Sequence, residues 1–180
     1  MRKLLLPLLF LASSALADDA RIGSLTATAV NGQVSVRFTL ADAFRTGQTV
    51  QALQSGVPTS FTYYVEIFRD RPNWFDEGVG RSRIEVIATF NSLTREYLLN
   101  YRRDRKLVRS ETFTDLDALE KRMTTIDEPA LFDIGQRRAY KMRVRVKADL
   151  RRGWTLWVIP VQISTRWREA RVAAPAEARP

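Results

Sequence analysis

A chain of 180 residues, 45% apolar and 27% charged, can build one domain around a proper core, which excludes two independent domains of ordinary size, a disordered chain and a polytopic membrane protein. It contains neither Cys nor His, so disulfides, thiolate nucleophiles, zinc-thiolate sites, Ser-His-Asp and Cys-His machinery and H-E-x-x-H metalloprotease chemistry are all excluded. The formal net charge of +9 comes mostly from arginine, which selection for bidentate anion contacts or GC-rich codon usage explains about equally well.

The chain opens with Arg2 and Lys3, an apolar run from Leu4 to Leu11 broken by Pro7, and the small-residue ending Ala15-Leu16-Ala17. This order reads as a cleavable export signal over residues 1–17, the run being well short of the ~20 apolar residues needed to span a bilayer. Removing it leaves a net charge of +7. No later segment is long and apolar enough to cross a membrane, and without a Cys no lipid anchor forms there. The expected location is outside the cytoplasm, in the periplasm.

Residues 24–30 and 33–40 alternate apolar and polar around Asn31-Gly32, which predicts an antiparallel hairpin on a type I′ turn. Val50 and Leu53 before Gly56 suggest a short helical turn. Phe61, Tyr63, Val65 and Ile67, with Tyr64 and Phe68 on the other face, form a central strand. Further strands are expected at 83–90, around Tyr97–Tyr101 and over Leu107–Phe113. A helix follows near 114–124, with Thr114 as hydroxyl N-cap, Asp115 and Asp117 in the first turn, and Leu116, Leu119 and Met123 on one stripe. A loop punctuated by Pro129 and Gly135 leads to strands near 137–149 and 155–168, and residues 173–180 form a disordered tail.

Seven or eight short strands and one real helix predict a mainly β domain over 18–172, an antiparallel β-sandwich with the helix covering an end or edge, or a small open barrel. Several short motifs mark the chain: Gly56-Val57-Pro58 entering an aromatic strand that ends Arg69-Asp70-Arg71, then Trp74, and Phe90-Asn91-Ser92-Leu93-Thr94-Arg95-Glu96-Tyr97. Phe113-Thr114-Asp115-Leu116-Asp117-Ala118-Leu119 and the stretch from Tyr140 to Leu150 follow. In this order they resemble a family of exported bacterial proteins known only as a domain of unknown function, number 4390. The chain departs from the family pattern at Arg151-Arg152-Gly153-Trp154, where a Leu-Pro segment is usual. What the resemblance implies is export and a mostly β fold; it brings no catalytic residues.

Two constellations stand out. Lys141, Arg143, Arg145 and Lys147 alternate with Tyr140, Met142, Val144 and Val146, so four cations line one strand face. Such a row either tracks the phosphates or sulfates of an anionic envelope component, or is neutralised by acids of neighbouring strands, with Glu66 and Glu85 as candidates. The second is the loop of Arg69, Arg71, Trp74 and Phe75, closed by Arg81 and Arg83, where aromatics beside guanidinium groups make an adaptable protein-binding surface or a cap on the core.

Asp76-Glu77 and Asp127-Glu128 fall in expected loops as solvated acids, and no catalytic, P-loop or calcium motif is present. The sequence therefore points to a non-enzymatic binding module of the bacterial envelope, without cofactor or metal. Its partner is an envelope protein or, alternatively, an anionic envelope polymer or lipid; export argues against nucleic acid. A carboxylate-based hydrolase is the remote alternative.

Overall fold

Asn31 and Gly32 carry φ values of 50° and 77°, which is the backbone a type I′ turn requires, and they join β1 (Arg21–Val30) to β2 (Gln33–Ala41) as an antiparallel hairpin. A computed structural model describes residues 20–45, 47–71, 75–135, 139–155 and 159–173. The expected signal segment, Trp74, and all of the expected tail beyond Ala173 lie outside these residues, whereas Ala173 itself ends the last strand.

After the hairpin come α1 (Gln48–Gln54), β3 (Thr59–Arg69), β4 (Glu77–Asn91), β5 (Glu96–Arg103), β6 (Lys106–Phe113), α2 (Leu116–Thr124), β7 (Thr125–Asp133), β8 (Met142–Thr155), β9 (Ile159–Ser164) and β10 (Arg168–Ala173). The turn at Val50–Leu53 is thus a short helix, closed by Gly56 at φ 78° with its N–H on the Leu53 carbonyl at 2.9 Å. The cap of α2 is Asp115 rather than Thr114: its carboxylate accepts from the Ala118 N–H at 2.8 Å.

The chain is mainly β, but it is not an antiparallel sandwich. Nine strands run through one mixed sheet in the order β6-β5-β4-β3-β8-β10-β1-β2-β7, and β9 pairs with the distal half of β8. Every registered pair is antiparallel except β1 with β10. The expected loop at Pro129 is instead β7, an edge strand in which a residue without N–H costs no ladder bond.

One sheet serves where two were expected because it curls upon itself. The 15-residue β4 and 14-residue β8 are long, and register shifts at Ile67/Phe68 and Arg151/Trp154 bend the ladders they belong to. Phe38 of β2 meets Tyr63 of β3 edge-to-face at 5.2 Å, although three strands separate them in the sheet. Gly80 on β4 admits Phe132 of β7: a Cβ there would stand 3.1 Å from the ring. The enclosed core contains Phe38, Phe61, Tyr63, Ile84, Leu99 and Val144, with Leu119 and Met123 of α2 closing it. A period of two records only which face of a strand is buried, and a sandwich and a curled sheet bury the same face.

Candidate functional site

Along β8, Val144, Val146 and Ala148 point into the core and Arg143, Arg145 and Lys147 point out. Lys141 is not on this row, because it ends the 3₁₀ turn Ala139–Lys141 that precedes the strand. The antiparallel registers set Glu66 of β3 and Glu169 of β10 on either side of Arg145. Arg145 donates from Nε and Nη2 to Glu66 at 2.8 and 2.6 Å. Arg143 donates to three carboxylates, Asp70 at 2.5 Å, Asp76 at 3.0 Å and Glu169 at 3.1 Å, and the Asp70 hydrogen bond above all raises its pKa further. Lys147 lies 4.0 Å from Asp149.

Aromatic rings fill the gaps in this row. Phe68 lies under the guanidinium groups of Arg143 and Arg145 at 4.9 and 5.5 Å, Trp167 stands 4.7 Å from Arg145 and 5.4 Å from Lys147, and Tyr64 stands 5.0 Å from Lys147. Of the two candidate acids, Glu66 joins the row and Glu85 pairs with Arg83 at 3.3 Å. The strand cations thus face carboxylates and rings of their own chain.

The loop after β3 is fastened at both ends. Arg69 and Arg71 share one oxygen of Glu77, Arg71 at 2.6 Å, and these hydrogen bonds, Arg71's first, hold the Glu77 carboxyl below its ordinary value. The Asp70 N–H donates to the Lys141 carbonyl at 2.9 Å, while the Asp70 and Asp76 side chains both reach Arg143. Between these fastenings Phe75 is 90% exposed. Arg81 lines a cavity of about 460 Å³ with Glu66, Phe68, Asp76, Arg145 and Glu169, and makes no ion pair with a described residue. Arg83 belongs to a different corner, where its N–H donates to Asp104 at 2.8 Å. The two groups singled out in the sequence, apart from Lys141, Arg83 and the undescribed Trp74, therefore form one surface with Arg143 at the junction.

Two groups of residues escaped the sequence reading. One is Trp167, expected at the end of a strand over 155–168 and instead lying between β9 and β10. The other is a buried cluster across the seam between β5 and β7. Asp127 and Glu128 lie on β7 and not in a loop: Asp127 stays exposed and pairs with Arg37 at 2.5 Å, whereas Glu128, only 5% exposed, accepts a hydrogen bond from the Tyr101 hydroxyl and pairs with Arg103 at 2.9 Å. Arg109 stacks on the Tyr101 ring at 4.1 Å, and Arg122 of α2 holds Glu111 at 3.2 Å. Burial first, and then the Glu128 carboxylate, push the Tyr101 hydroxyl far above its ordinary value. The visible signal was Tyr101 on the apolar face of its strand; its partner, 27 residues away, was hidden by the loop expected around Pro129.

No helix among the described residues is long and apolar enough to cross a membrane. The family model described as Domain of unknown function (DUF4390) matches residues 17–155. No curated protein and no solved structure matches the chain.

Proposed function

The chain belongs to the DUF4390 family, whose function is unknown, and from that premise we propose that it is an exported, non-enzymatic binding module of the bacterial envelope that holds a protein partner at the loop carrying Phe75. The carrying observation is a large aromatic side chain, 90% exposed, on a loop tied down by Arg143 on one side and the Arg69/Arg71/Glu77 cluster on the other. Loop ends already fixed lose little entropy on binding, and an exposed aromatic on a segment flanked by arginines is a common composition for an interface hot spot. The charged leader supports export. The pairing of Arg143, Arg145 and Lys147 with acids favours this reading over a polyanion track.

The test is affinity capture from envelope extract with the unaltered protein, Phe75→Ala, Trp74→Ala, and a variant with Lys141, Arg143, Arg145 and Lys147 changed to Ser. The expected result is a partner that survives high salt and whose affinity falls roughly tenfold or more with Phe75→Ala. A partner retained by Phe75→Ala but lost with the four Ser substitutions and with added salt overturns the reading in favour of polyanion binding.

A further inference from the structure

The parallel pairing of β1 with β10 is registered only at Ala27↔Val172 and Thr28↔Ala173, near the ends of both strands. No pair is registered between their beginnings, and the wedge there holds a cavity of about 430 Å³. Its lining comprises Ala20, Ile22, two hydroxyl residues, Trp167 and three arginines, Arg21, Arg166 and Arg168, with no acid. Arg21 is oriented by Asp42 at 2.5 Å, whereas Arg166 and Arg168 are exposed and make no ion pair with a described residue. On β8 every cation of the row has its carboxylate; in the wedge two guanidinium groups have none among the described residues.

The corner is ordered in advance. The Thr165 N–H donates to the Ala148 carbonyl at 2.8 Å, its hydroxyl accepts from the Ala148 N–H at 2.9 Å, and the Ser164 hydroxyl donates to Asp149 at 2.8 Å. Trp167, 39% exposed, is braced against Arg145 and Lys147. The facing edges of β1 before Ala27 and of β10 before Val172 have no registered ladder partner in each other, and strand-edge amides of this kind line anion-binding concavities.

We propose that this wedge is a binding site for a phosphorylated sugar, with the phosphate between Arg166 and Arg168 and the sugar ring on Trp167. Guanidinium groups recognise phosphate through paired N–H donors, and an indole face packs against the apolar side of a pyranose. The phosphate is either free in solution or carried on a lipid headgroup.

The test is calorimetric titration of the protein with glucose 1-phosphate, glucose and inorganic phosphate at low and high salt, beside vesicles of phosphatidylcholine with and without phosphatidylinositol 4-phosphate. Saturable binding of glucose 1-phosphate is expected, weakening with salt and falling roughly tenfold or more with Arg166→Ser/Arg168→Ser. Trp167→Ala should remove the preference for glucose 1-phosphate over inorganic phosphate, and Trp167→Phe should retain part of it. Binding to phosphoinositide vesicles but not to free glucose 1-phosphate assigns the lipid-borne source; binding to both assigns the phosphorylated ring itself. No saturable binding to either, or binding equally weakened by the remote pair Arg102→Ser/Arg105→Ser, overturns the proposal. Unchanged melting curves for the variants keep the comparison to the site.

Discussion

Arginine does different physical work on the two sides of the sheet. On the outer face, Arg143 and Arg145 meet carboxylates that are themselves in contact with water, whereas at the seam Arg103, about as exposed, meets the buried Glu128 beside a buried tyrosine. Exposed pairs are screened and contribute little, about 0–1 kcal/mol each, whereas a buried polar group that loses its partner keeps its full desolvation cost. The outer network therefore sets where a loop sits, and the seam network determines whether the curled sheet stays closed.

The largest test of that contrast is Glu128→Ala, which strands the Tyr101 hydroxyl and removes the only described side-chain bridge between β5 and β7. A loss of about 2–4 kcal/mol is expected in urea unfolding. A loss below that of Arg143→Ser would invert the comparison.

An alkaline titration sharpens it. Burial raises the hydroxyl pKa of both Tyr63 and Tyr101, so the unfolded chain releases these protons first, starting near the ordinary value of 10.0. Their contribution to stability is complete below that pH and is lost as pH rises beyond it. Absorbance of tyrosinate should show these two residues ionising only together with unfolding, and Tyr101→Phe should flatten the decline of the melting temperature above pH 10.

The smallest expected effect is that of Arg143→Ser. Its stability loss should stay under about 1 kcal/mol. Hydrogen exchange should nevertheless quicken at Asp70 and around Phe75, because one guanidinium joins both ends of that loop to β8 and β10. Exchange quickening uniformly across β8 instead would show the residue holding the sheet rather than the loop.

What the sequence made legible follows from how local each determinant is. The Asn31-Gly32 hairpin, the Gly56 stop and the inward face of β8 were all readable because turn backbone and period-two burial are set by neighbours along the chain. The chemistry of that face was not. Arg143 takes its acids from positions 70, 76 and 169, and no pattern within its own strand announces them. Pro129 misled for the same reason: a proline forbids a central strand but not an edge, and edge or centre is decided by the whole sheet. Trp167 was passed over because the last third was read as two strands where three occur.

The single parallel contact between β1 and β10 also dictates an order of events. Without residues 168–173 the ladder falls into two pieces, β6-β5-β4-β3-β8 with β9 on one side and β1-β2-β7 on the other, and no registered pair joins them. Continuity of the sheet depends on β10 pairing with β1, a closure across some 145 residues. Separations of that size place a protein among the slow folders. Until β10 pairs with β1, the chain holds two unfinished half-sheets with open edges.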